Sequence, residues 1–265
     1  MVYSTAWKPN AAKNNNHALI LACFDSRLSE YNKYYSELQK GLETGLACIE
    51  RNMTLEILEN INQDNSNNLS ISYPFQLVGF ILGTEFKRHD IAFRIVTGAS
   101  YDDFLNENIY DYIRKEKYSH IFFSTTYIHS FTRLKYIATN LRRLFPASKI
   151  VAGGQLLNYN KRMLECPNID FYVIGDGEET AVNILLSPEK YVSSLNSHGT
   201  KRFVVEAPMK DLNMYQTVDY ELVWDCIPYN EREIFKEKYY FPMETVRGCY
   251  FKCAFCSSST LQGDT

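Results

Sequence analysis

At 265 residues, with 45% hydrophobic and 14% aromatic side chains, the chain carries enough apolar material for one large domain or two small ones, which excludes disorder throughout. A net charge of −3 gives no basic footprint for nucleic acid. No apolar run reaches the roughly 18 residues of a membrane helix, so neither partner is expected.

Residues 1–16 are polar and Asn-rich, show no charged-then-apolar leader, and read as a loose tail. Ala18 to Phe24 is almost all apolar, as in a strand buried on both faces. Asp25 or Ser26 can cap a long helix whose stripe is Leu28, Tyr31, Tyr35, Leu38, Leu42, Leu46 and Ile49. A polar stretch from Asn62 to Asn68 ends it.

Pro74 to Arg88 reads as a helix with Pro in its first turn. Ile91 to Val96 is a strand, followed by a helix from about Asp102 to Lys117. His120 to Phe123 is a strand ending in Ser124-Thr125-Thr126, and Phe131 to Phe145 a helix in which Arg142-Arg143 marks a solvated face. Lys149 to Ala152 is a strand ending in Gly153-Gly154, and Phe171 to Ile174 one ending in Gly175-Asp176-Gly177-Glu178, which opens a helix through Leu186. Strands alternating with helices define an α/β, doubly wound parallel sheet. Its ligands belong beyond the carboxyl ends of the strands, at Ser124, Thr125, Gly153, Gly154, Gly175, Asp176, Gly177 and Glu178. Each of those glycines, taken alone, is more simply a tight strand-to-helix turn. His129, near a strand end, reads as a surface or packing residue.

Arg202 to Val205 can form a short strand, and Asp211 to Val223 an ordered linker. The boundaries that follow are a tail at 1–16, the doubly wound domain at 17–190, a linker at 191–240 and a new element at 241–265.

Of the seven cysteines, Cys23, Cys48, Cys166 and Cys226 are scattered, while Cys249, Cys253 and Cys256 are separated by three and then two residues. Three thiolates on one short loop can share a metal centre, and thiolates are the ligands that iron–sulfur clusters require. Three ligands leave one iron of a four-iron cube open to a small molecule. A structural zinc site is the alternative, but it wants paired ligands and closed four-fold coordination. Such a cluster belongs in a reducing compartment, the cytoplasm by default.

Arg247-Gly248-Cys249, Cys253 and Phe255-Cys256 resemble the signature of the radical S-adenosylmethionine superfamily. The resemblance implies that these cysteines hold a 4Fe-4S cluster whose open iron chelates S-adenosylmethionine, with Phe255 near the adenine. Reductive cleavage of the sulfonium then gives a 5′-deoxyadenosyl radical, the electron coming from a reductant such as flavodoxin or ferredoxin. Residues 17–190 are similar to the cobalamin-binding domain of one subfamily, through the Pro-led helix, Val151-Ala-Gly-Gly154 and Val173-Ile-Gly-Asp-Gly-Glu-Glu179. Asp211-Leu212 through Asp219-Tyr220 resembles the linker there. The Asp-x-His-x-x-Gly motif that supplies an axial histidine in some cobalamin proteins is absent, so cobalt is expected to lack a histidine ligand. The segment of about 45 residues before Pro74 is long for the family and can cover the cofactor edge or serve a partner.

The activity so implied is cobalamin-dependent methyl transfer to a small-molecule or peptide substrate. A cobalamin- or partner-binding module without catalysis, or a relative that has lost cobalamin, are the other readings. Only nine residues follow Cys256, so the expectation is a truncated radical domain, inactive by itself.

Overall fold

The computed structural model describes residues 3–10, 16–25, 76–128, 130–154, 157, 161–206, 218–227, 229, 232, 233 and 243. Residues 1–25 and 74–265 form one compact unit and 26–73 another. The expected helix at 28–49, His129, and the segment carrying Cys249, Cys253, Phe255 and Cys256 all lie outside the described residues.

The elements run β1 (Tyr3–Trp7), β2 (His17–Phe24), α1 (Leu77–Arg88), β3 (Ala92–Ser100), α2 (Tyr101–Asn106), α3 (Asp111–Arg114), β4 (His120–Ser124), α4 (Phe131–Leu144), β5 (Lys149–Gly153), β6 (Phe171–Ile174), α5 (Glu178–Leu186), β7 (Ser194–Leu195), β8 (Lys201–Glu206) and α6 (Tyr220–Cys226). The sheet order is β1-β3-β2-β4-β5-β6-β8-β7. From β3 to β8 every pairing is parallel, and the two outer strands are antiparallel.

The continuous apolar runs divide by alternation, because successive side chains of a strand point to opposite faces. Leu19, Leu21, Cys23, Val96, Ile121, Phe123, Ile150, Ala152 and Tyr172 pack on one face with Tyr101, Phe104, Leu134, Ile137 and Leu141. Ala18, Ile20, Phe93, Ile95, Phe122, Val151, Phe171 and Val173 pack on the other with Phe80, Phe86, Ile184, Leu185, Leu222 and Val223. Helix α1 lies close to the sheet: a Cβ on Gly79 would stand 2.9 Å from that of Ala22, and one on Gly83 would stand 2.8 Å from Cδ1 of Ile95.

Four expectations need correction. Residues 3–7 are a strand rather than tail: β1 pairs with β3, and Tyr3 and Trp7 pack against the α1 face. An edge strand buries one face only, so its polar residues hide it from an apolar count. The domain does not end at 190, because β8 continues the parallel sheet and α6 packs Leu222 and Val223 into the core. The helix expected from Asp102 to Lys117 is broken at Glu107, whose extended ψ of 136° separates α2 from the turns that follow. Arg142 is not on a solvated face: its guanidinium donates to Asp170 at 2.6 Å and to the Ser148 carbonyl at 2.7 Å, leaving Arg143 exposed.

His120, buried at the start of β4, is held down to about 4 by desolvation, with Lys149 adding repulsion and Asp170 opposing it. The unfolded chain therefore takes up this proton first as pH falls from about 6.5, and the fold loses stability until about pH 4. The full loss is about 3 kcal/mol. Urea unfolding at pH 7 and pH 4 should show His120→Gln spared most of that fall; an equal fall in variant and wild type would contradict it.

Candidate functional site

The parallel strands leave a row of connections at their carboxyl ends. The chain passes from β2 outward to β3, then returns across β2 to begin β4, so the order reverses between β2 and β4. In doubly wound sheets the strand ends beside such a reversal are the usual ligand site.

Phe24 and Asp25 lie at the end of the strand on one side of this reversal, and Ser124-Thr125-Thr126 at the end of the strand on the other. Just ahead of α1, the Gln76 N–H donates to Thr97 Oγ1 at 3.1 Å near the end of β3. At this reversal Arg133, in the first turn of α4, joins three elements. Its Nε donates to Asp25 at 2.8 Å, and its two terminal nitrogens donate to the carboxylate of Asp102 at 2.9 and 2.5 Å. Arg133 and Asp25 are both about 95% buried. The Tyr101 hydroxyl donates to the Ser124 carbonyl at 2.5 Å, and burial pushes that phenol well up. Sequence reading missed this brace. The visible signals were a charged residue directly ending an apolar strand and an arginine opening a helix.

The structure brings the sequence-predicted residues to this one edge but gives them different duties. Thr125 is fully buried, with its N–H and hydroxyl both donating to the Gly153 carbonyl, at 2.7 and 3.1 Å. Its hydroxyl therefore ties β4 to β5. The Ser124 hydroxyl donates to that of Thr126 at 3.2 Å. Gly154 has φ of 123°, and a Cβ there would stand 2.9 Å from both N and Oγ1 of Thr126. Gly175 has φ of 92° and is exposed. Asp176 is half-buried, and Glu178 is buried at the start of α5. Gly177 has ordinary helical φ, and a Cβ there would meet nothing within 4 Å.

His17, His89, His120 and His198 precede or open strands β2, β3, β4 and β8, so all four lie at the opposite edge. Among the described residues no group of three His, Cys, Asp or Glu side chains could hold a metal ion. No helix among them is long and apolar enough to cross a membrane. Cys23, Cys166 and Cys226 are buried free thiols, each pushed up by desolvation.

The sequence profile of the B12 binding domain matches residues 84–185. A B12-binding domain is thus found from the last turns of α1 to the end of α5. The structure adds to the matched stretch its central strand: β2, which lies between β3 and β4, comes from residues 17–24. No curated protein matches the chain.

A corrinoid needs a broad, sterically open rim with small side chains and polar groups nearby. The open space over Gly177, the half-buried Gly153 and Gly154, and the Ser124–Thr126 hydroxyl pair meet that description. The residues present fit the group.

Proposed function

We propose that this chain holds a cobalamin across the carboxyl edge of its parallel sheet for a radical S-adenosylmethionine methyl transfer. In this reading Cys249, Cys253 and Cys256 ligate a 4Fe-4S cluster, and Phe255 lies beside the bound nucleotide. The single observation that carries the corrinoid part is the B12 binding match over a parallel sheet whose β5 and β6 end in glycine loops at the carboxyl edge. The cysteine spacing supports the cluster part, since thiolates separated by three and then two intervening residues suit a cube with one free corner.

The bound cobalamin supplies a transferable methyl group. The chain's own contribution is to hold and shield. Gly153, Gly154, Gly175 and Gly177 keep the rim low; Ser124 and Thr126 present hydroxyls beside it; Asp25, Arg133 and Asp102 tie the end of β2 to α2 and α4. The four described histidines stand at the far edge, which supports a cobalt without an imidazole from them. Substrate is expected among small molecules or peptides, and the electron from a flavodoxin- or ferredoxin-like donor.

The match covers binding alone, which favours as second reading a corrinoid-binding module without catalysis. Two measurements separate these. Hydroxocobalamin added to the purified chain should co-elute with it and shift its visible spectrum; a spectrum identical to free cobalamin sinks the corrinoid reading. Anaerobic reconstitution with iron and sulfide should produce broad cluster absorbance that Cys253→Ala loses. Cobalamin uptake without any cluster would leave the module.

A further inference from the structure

The two ends of the sheet are built differently. At one end β7 is only two residues long, and so short a strand offers almost no ladder to a newcomer. At the other end β1 runs five residues in unbroken register with β3, without a bulge. Tyr3-Ser4-Thr5-Ala6-Trp7 holds neither a charge nor a proline, and Lys8 and Pro9, residue types that guard an edge, stand just past it. Among the described residues β3 is the only strand that pairs with β1.

The side chains narrow what this edge can receive. Odd positions face the α1 layer: Thr5 is buried, and Tyr3 and Trp7 are half-buried, with Trp7 stacked on Phe93 at 6.0 Å. Even positions face the other layer, where the Ser4 hydroxyl lies 3.1 Å from that of the exposed Tyr112. The charges around Tyr112 are already neutralised, because Arg94 pairs with Glu116 at 2.6 Å and Arg114 with Asp111. The edge is therefore uncharged along its length and flanked by closed ion pairs, which gives a strongly charged partner nothing to hold.

We infer that β1 is a self-association edge, pairing antiparallel with β1 of a second copy about a two-fold axis at Thr5. That register sets Tyr3 opposite Trp7 twice and Thr5 opposite Thr5 on the α1 face, with Ser4 opposite Ala6 on the other. Aromatic pairs and Thr–Thr pairs are among the cross-strand contacts that stabilise a sheet. Charge favours the same arrangement. Lys8 of each copy falls opposite residue 2 of the other, so the two ammonium groups stand about 20 Å apart along the strand at roughly 3.4 Å per residue. A parallel pairing would set them side by side. The contact is isologous and uses the long free edge of both copies, and the two-residue β7 blunts the other end, so assembly stops at two. This inference is independent of the corrinoid reading, since it involves none of the loops at the carboxyl edge.

Sedimentation equilibrium of the full chain over a wide range of concentration tests it. The wild type should approach twice the 30.8 kDa chain mass and go no further. Ala6→Lys puts a charge on an exposed position opposite Ser4 of the other copy without removing a backbone donor. It should weaken the dimer at least tenfold and leave the urea midpoint of the dilute monomer unchanged, which shows that the variant still folds. Ser194→Lys, an equally exposed change on β7, should leave the dimer as it is. A wild type that stays monomeric throughout, or that grows past two copies, overturns the inference. So does a dimer that Ala6→Lys leaves intact, or that both variants weaken equally, because its contact then lies elsewhere.

Discussion

Arg133→Met should cost about 3–5 kcal/mol of unfolding free energy, the range for stripping one partner from a buried ion pair. The methionine fills most of the volume of the arginine stem, so lost packing is a small part of that figure. The larger part is electrostatic. Asp25 has almost no access to water and receives its 2.8 Å charged hydrogen bond from Arg133 Nε. Removing the guanidinium leaves a carboxylate in low dielectric, where desolvation is expensive. Asp102 should suffer less, because its side chain keeps 30% exposure and can turn to solvent. Adding Asp25→Asn to Arg133→Met should therefore recover part of the loss, since the buried charge that lost its guanidinium is gone. Urea unfolding of the two variants checks this; a second substitution that only adds to the first would show that packing, not charge, carries the effect.

Gly154→Ala is the second large effect, expected at about 2–4 kcal/mol. A non-glycine residue at φ of 123° pays on the order of 1–3 kcal/mol for backbone strain alone. The new Cβ also meets the Thr126 amide nitrogen at 2.9 Å and that of Thr125 at 3.0 Å, and backbone atoms cannot swing aside as a side-chain tip can. Gly153→Ala, one residue earlier, makes only an ordinary 3.8 Å contact and should change stability little. Thermal or urea unfolding of the pair isolates the turn: similar losses at both positions would mean that the strand end, not the φ and the Thr126 contact, sets the cost. Relief of the clash in Gly154→Ala requires the β4–α4 turn to shift. Hydroxocobalamin affinity should then fall as well.

The same comparison shows how differently neighbouring glycines could be read from sequence. Gly153-Gly154 and Gly175-Asp176-Gly177 looked equivalent as strand-to-helix turns. Their φ values and neighbours separate those that shape a turn from those that leave room. The hydroxyls behave alike: Ser124 and Thr125 were equally plausible ligand contacts, but Thr125 is closed off by the Gly153 carbonyl. A one-dimensional pattern records residue type and spacing, and neither states which way an atom points.

What the sequence determined unaided was the α/β class, the central strands, and which loops share the carboxyl edge of the sheet. Those follow from short apolar runs alternating with helical stripes, a local property of composition and period. What only the tertiary structure decided was long-range. Tyr3–Trp7 became a strand because β3 offers it an edge, and β8 with α6 extended the domain past residue 190 because β6 and the α1 face were there to receive them. The brace of Asp25, Arg133 and Asp102 joins positions up to 108 residues apart. No local window can contain such a contact, since burial and charge pairing exist only once the chain has closed on itself.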